Sequence, residues 1–416
     1  MPTLTDLLDT AAGPVTTLDP ADVHRRVVRR RRRRRTVAGA LAVAAVVGTV
    51  GIVGLVGDDG SNVAVTSGQP EEGQVFSFET GTQLAFDDER GSVIVDLDSG
   101  RAVRRSDPEL TPGDWLDRIE LVGDQLVVTK VPPGRGVLVI DPATGEAQEL
   151  AGGPIAVPAG DSARVWLVPG QRTTSEMTDA TLVELDGEVV AGPVQLPDDR
   201  AIGLDDAFDD ALVVFGDDGN ANAWTPGAGI EGDASFPGLE PEIFDVSGDL
   251  IAYPTAPGSI EIRERNGALR TEITDLGGTV SHLAWSPDGE QLAVGVQQFT
   301  DQLPNGLLFL FHVDGNGGQL GTSFDVVHSN VAWSQDSRFV FLATTVDEVT
   351  ELTAFDTEEA RSETVRLAPL GMFPWFDAFD RDLGPDLGTG DTEPCSLDDG
   401  DLPPEPCDLT VTNVGG

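Results

Sequence analysis

The sequence predicts an all-β fold: a β-propeller of seven blades, with six to eight compatible with the chain length, behind a single N-terminal transmembrane helix. Three observations predict it. Seven consecutive arginines run into 21 residues without a charge, 36–56. Nine arginines against four aspartates leave the first 56 residues at +5, whereas 17 basic and 67 acidic residues leave the remaining 360 at −50. One short turn-and-strand pattern then recurs seven times.

The uncharged stretch, mostly Ala, Val, Gly and Leu, would reach about 31 Å as a helix, the thickness of a hydrocarbon core. A cleaved signal peptide would carry a shorter apolar core and a shorter basic leader. Here 35 residues precede the stretch, which favours an uncleaved anchor. Arg29, Arg30, Arg31, Arg32, Arg33, Arg34 and Arg35 then act as a topology signal. Basic flanks stay cytoplasmic, and the far flank "GDDG" at 57–60 has none. The expected arrangement is single-pass and N-inside, with the body extracytoplasmic at the cell membrane. The arginines also favour anionic headgroups by roughly 1 kcal/mol each. A body near −50 repels phosphate backbones, which argues against nucleic acid as its partner.

The organisation read from these features is a cytoplasmic Arg-rich tail at 1–35, a transmembrane helix at 36–56, a linker at 57–72, a propeller at 73–385 and an acidic tail at 386–416. In the cytoplasmic tail, "LTDLLDTAA" places Leu4, Leu7, Leu8 and Ala11 on one helical face. "LDPADVHRRVV" offers Asp19 as a cap with Pro20 at the first helical position. The segment is too short for a core of its own. This leader resembles those of many actinobacterial single-pass proteins, anti-sigma-like ones among them. The zinc-type anti-sigma signature needs a Cys pair, and no cysteine precedes position 395.

The repeats read "TGTQLAF", "VGDQLVV", "DSARVWL", "FDDALVV", "VSGDLIA", "DGEQLAV" and "DSRFVFL". Their fifth positions are Leu84, Leu126, Val165, Leu212, Leu250, Leu292 and Val340, spaced by 42, 39, 47, 38, 42 and 48 residues. Second strands ending in Gly/Asp turns follow most copies, as in "VLVIDPATGE" and "FLFHVDGNG". A period near 43 built from short strands and hairpin turns is the mark of a propeller, one four-stranded sheet per blade. "PWFDAFDRDL" at 374–383 has the spacing of a further opening strand, and completing the first blade with it would close a ring of seven.

"LAWSPDGEQLAV" (283–294) and "VAWSQDSRFVFL" (331–342) resemble the TolB-type WD40-like repeat, whose blades carry a W-S-P-D-G turn between their first two strands. The match covers Trp285, Ser286, Pro287, Asp288 and Gly289 fully, and Trp333, Ser334 and Asp336 in part. The resemblance implies blade-packing tryptophans and a recognition role for the propeller.

Motifs for chemistry are missing from the sequence. His282, His312 and His328 stand at no metal-ligand spacing, and neither G-x-S-x-G nor H-E-x-x-H occurs. "DGNGG" at 314–318 begins like a calcium loop, but Gly318 stands where a ligand is wanted, so a hairpin turn is expected. Asp205, Asp206, Asp209 and Asp210 read as a solvated acidic face. No catalytic residue, metal or cofactor is therefore expected. Cys395 and Cys407 are expected to form a disulfide in an oxidising exterior, worth about 3 kcal/mol to the tail alone. The function expected is non-enzymatic recognition of an envelope protein or ligand, with a propeller lyase or glycan hydrolase using dispersed carboxylates as the alternative. Connections between the second and third strands share one face, and two are long: "PGQRTTSEMTDAT" (169–181) and "VQQFTDQLPNG" (296–306). Arg172, Met177, Phe299 and Leu303 in them are the candidate binding residues.

Overall fold

Successive side chains point to opposite faces of a strand, so consecutive apolar residues such as Leu84, Ala85 and Phe86 let both faces be buried between neighbouring sheets, and this chain folds into seven such sheets. The computed structural model describes residues 64–65 and, outside connecting segments of which 106–114, 170–178, 320–329 and 396–405 are the longest, residues 74–413. The segment 1–35 with Arg29 to Arg35, the segment 36–56, and Arg172, Met177 and Leu303 lie outside the described residues. Among the described residues no helix is long and apolar enough to cross a membrane.

Blade 2 consists of Trp115–Val122, Gln125–Val131, Val137–Ile140 and Ala147–Ala151. Blade 3 follows with Pro154–Pro158, Arg164–Pro169, Asp179–Glu184 and Val189–Gln195. Blade 4 is built from shorter strands, Ala201–Ile202, Leu212–Phe215, Asn220–Thr225 and Gly229–Ile230, with Phe236–Pro237 beside the third. Blade 5 comprises Asp245–Ser247, Leu250–Ala256, Ser259–Glu264 and Leu269–Ile273. Blade 6 takes Thr279–Trp285, Gln291–Phe299, Pro304–His312 and Gly317–Gln319. Blade 7 takes Asn330–Trp333, Phe339–Val346, Val349–Asp356 and Arg361–Ala368. Blade 1 is composite. Thr82–Asp88, Gly91–Asp96 and Arg101–Arg105 come from the start of the domain, and its first strand, Phe376–Asp380, comes from the end. The ring therefore closes within blade 1, through the strand that the spacing of "PWFDAFDRDL" singled out.

Each of the seven seams between blades has its own apolar cluster. On one strand of blade 1, Leu84 and Phe86 enter the seam with blade 7 while Ala85 enters the seam with blade 2. Leu84, Leu126, Val165, Leu212, Leu292 and Val340 are all fully buried, and each faces the preceding blade. Leu250 differs: it packs toward blade 6, and Ile251 takes the equivalent place against blade 4. The repeat there is offset by one residue, which turns its side chains over.

The acidic tail does not end at a disulfide loop detached from the ring. Cys407–Asp408 pairs with the outer strand of blade 1, and Thr410–Asn413 pairs with the outer strand of blade 7. Ala64–Val65, within the stretch read as a linker, runs parallel to Arg361–Ser362 on the same outer strand.

Candidate functional site

The W-S-P-D-G turn joins the first and second strands of blade 6, and its partial copy does the same in blade 7. In blade 6 the Ser286 hydroxyl donates to Asp288 Oδ1 (2.6 Å) and accepts from the Gln291 N–H (2.9 Å). Asp288 Oδ1 also accepts from the Glu290 N–H at 3.0 Å. Blade 7 repeats this atom for atom. Ser334 Oγ donates to Asp336 Oδ1 (2.5 Å) and accepts from the Phe339 N–H (2.8 Å), and Asp336 accepts from the Arg338 N–H (3.1 Å). A left-handed residue completes both turns, Gly289 at φ +68° and Ser337 at φ +60°. Glycine enters that region freely, whereas serine does so at a cost. Ser337 offsets that cost by accepting from the Asp288 N–H of the neighbouring turn at 3.1 Å.

Both tryptophans tie blades together. The Trp333 indole N–H donates to Ala284 O of blade 6 (2.9 Å), and the Trp285 indole N–H donates to Asp245 O of blade 5 (3.2 Å). Buried and engaged in this way, neither ring offers a platform to a ligand. The Asp245 carboxylate adds a second tie by accepting from the Trp285 backbone N–H at 2.6 Å. Asp377, on the closing strand, does the same for the Leu121 N–H of blade 2 at 2.6 Å. Each aspartate follows a phenylalanine at the head of a first strand, in "IFDVSGDL" and "WFDAFDRDL", a faint shared pattern that does not show the partner across the seam.

Other candidates resolve into structural roles. "DGNGG" is a hairpin turn in which Asp314 accepts from both the Asn316 N–H (3.0 Å) and its side-chain amide (2.8 Å). Those hydrogen bonds from Asn316 hold the Asp314 carboxyl below the usual carboxylate range. Asp210 pairs with Arg265 of blade 5 at 2.6 Å; Asp205 and Asp206 lie outside the described residues, as does His328. Among the described residues no group of three His, Cys, Asp or Glu side chains is placed to hold a metal ion. Cys395 and Cys407 are disulfide-bonded.

A wholly buried carboxylate sits on blade 7. Asp356, with its side chain wholly buried, accepts from Arg338 Nη2 (2.7 Å), from Arg361 Nη2 (3.1 Å) and from the Glu359 N–H (3.1 Å). Burial pushes its carboxyl up, but these hydrogen bonds outweigh that, and the net displacement is downward. Arg361 in turn lies 4.4 Å over the Phe78 ring, which anchors the N-terminal segment of the domain.

The loop face is positioned by this framework. Second-to-third connections and the links between blades emerge on the same side of a ring of up-and-down sheets. In blade 6 the second and third strands pair as far as Phe299 with Pro304, so the insertion read at 296–306 is largely strand and its connection is confined to 300–303. In blade 3 the connection spans 170–178. The structure thus sets Phe299 at a strand end, and Arg172, Met177 and Leu303 lie outside the described residues.

No family model matches this chain, and no curated protein does. Solved structures match at low identity. A functionally unknown protein from Desulfotomaculum acetoxidans is 13% identical, with 73% of this chain and 99% of that one covered, at a TM-score of 0.47. TolB from Acinetobacter baumannii is 11% identical over 71% of this chain and 66% of its own, at 0.43. The C-terminal WD40 domain of Sif2 is 13% identical over 72% and 83%, at 0.40. The fold assignment rests on the seven sheets and their closure.

Proposed function

We propose that this chain is a single-pass membrane protein whose propeller stands outside the cytoplasm and recognises another envelope protein or ligand without transforming it. The observation that carries the reading is the division of labour within the ring. Trp285, Trp333, Asp245 and Asp377 lock neighbouring first strands to one another, while the second-to-third connections, from 257–258 in blade 5 to 170–178 in blade 3, differ in length and share one face. A rigid scaffold presenting variable loops is the arrangement in which recognition commonly resides. Seven arginines followed by 21 uncharged residues support the anchor and its orientation, and the −50 body favours a partner that is neutral or basic where it touches.

The test replaces 170–178 and 300–303 by Gly-Ser turns in the full-length protein. Capture of the partner from envelope extracts is expected to fall at least tenfold, with stability changed by no more than about 1 kcal/mol. Capture that survives both replacements places the contact elsewhere. Orientation has its own check: protease added to spheroplasts is expected to remove a C-terminal tag and spare an N-terminal one.

A further inference from the structure

The outer edges of blades 1 and 7 are the two places where the chain ends add strands. Cys407 and Asp408 stand opposite Ala102 and Arg101 on blade 1, and the Leu409 N–H donates to Gly100 O at 2.9 Å. Immediately afterwards Thr410–Asn413 pairs with Val365–Ala368 on blade 7. One short run of chain therefore spans the seam where the ring closes. Cys395 holds the near end of this run, because its N–H donates to Asp408 O (2.9 Å) and its sulfur is bonded to Cys407. Cys395, Cys407 and Leu409 are buried in the same cluster as Phe78, Leu84, Phe339 and Phe376. Arg101 completes the attachment through Asp408 (3.3 Å) and Leu387 O (2.8 Å).

We propose that Cys395 and residues 407–413 form a redox-locked strap on ring closure, fastened when Cys395 and Cys407 are oxidised and released when they are reduced. Fastening is a thiol–disulfide exchange. The two thiols give up two protons and two electrons to a disulfide oxidant, which leaves as a dithiol, and the Sγ–Sγ bond forms; a dithiol reductant reverses it. With 8% and 4% of Cys395 and Cys407 exposed, a thiolate cannot reach either sulfur while the strap is seated. Reduction therefore proceeds through transient opening of the strap, and once the bond is broken the regained chain entropy favours the released state. A chain made in a reducing compartment would carry the strap unfastened until it met an oxidant.

Amide hydrogen exchange on the full-length protein tests this, with and without a dithiol reductant and with free thiols counted. On reduction, exchange in 101–105 and 361–368 is expected to accelerate on the order of 100-fold, the loop-entropy scale of a 12-residue ring, while 212–215 and 220–225 of blade 4 stay unchanged. The double variant Cys395→Ser, Cys407→Ser should reproduce this without reductant. Truncation after Leu409 keeps the bond and is expected to accelerate 361–368 alone. Two free thiols with no change at 101–105 and 361–368 would overturn the proposal. So would equal acceleration in blade 4, which would make the bond a determinant of the whole fold.

Discussion

Two seams of the same ring are held by different means. The seam between blades 6 and 7 buries seven apolar residues among those described and adds side-chain ties, Trp333 to Ala284 O and the Asp288 N–H to Ser337. The seam between blades 7 and 1 buries twenty-two. It gathers Phe76, Phe78 and Phe339 in a stack with ring centroids 5.5 and 5.7 Å apart, and it ties Ser77 to Glu363 through two hydrogen bonds of 2.9 and 2.7 Å. The closing strand and the strap lie there as well. Blades 6 and 7 are consecutive, so the chain itself keeps them together. Blade 1 meets its closing strand across about 300 residues, as where Thr82 pairs with Asp380. Closing a loop of that length costs about 5 kcal/mol beyond a constant, and the extra burial at this seam offsets it.

Breaking the closing seam should therefore do most damage. Ending the chain at residue 375 removes the first strand of blade 1 and the strap together, and is expected to abolish the cooperative melting transition, since the loss exceeds the usual margin of stability. A retained sharp transition by calorimetry would show that six blades and a remnant suffice. Phe78→Ala should cost about 3 kcal/mol through the cavity it leaves. Trp333→Phe at the other seam should cost about 1 kcal/mol for one hydrogen bond. Denaturant titrations of the two variants giving the reverse order would refute the contrast.

Asp356→Asn lies between these in effect. It removes the charge that both Arg338 and Arg361 address, and a loss of about 2 kcal/mol is expected near neutral pH. Because the folded-state carboxyl is displaced downward, its stabilisation is complete above the unfolded value near 4 and disappears as the pH falls through the lower folded value. The gap between variant and wild type should accordingly narrow below about pH 4, and a gap independent of pH would show that charge is not its source. Ser337→Gly is the smallest perturbation. Relief of the left-handed serine and loss of its bond to the Asp288 N–H should cancel to within about 0.5 kcal/mol, as melting temperatures can check.

How much could be read beforehand follows from range. Leu84, Leu126 and their equivalents announced the second strands because a tight turn and a buried side chain are local requirements, and all seven copies fall on second strands. The offset at Leu250 escaped because only pairing with Val246 reveals that Ile251 holds the equivalent position. Closure was legible from the spacing of 374–383. The strap was not, since Cys407 and Val411 pair with strands roughly 300 and 40 residues away, and nothing local demands it. Among the candidate residues, Trp285, Trp333 and the serine turns carried a pattern that the geometry explains. Asp245 and Asp377 act across blades, so a single strand gives little sign of their use.

The chain closes into a ring by pairing Phe376–Asp380 with Thr82–Asp88. Thr82 and Asp380 stand opposite each other, and the Arg381 N–H donates to Gly81 O (2.9 Å) beside them, which makes theirs a non-hydrogen-bonded pair of the spacing a disulfide accepts. Oxidation of the Thr82→Cys, Asp380→Cys protein is expected to give a single intramolecular cross-link, faster migration without reductant and no free thiol. Two thiols that remain open to labelling at 82 and 380, or cross-links only between chains, would contradict closure.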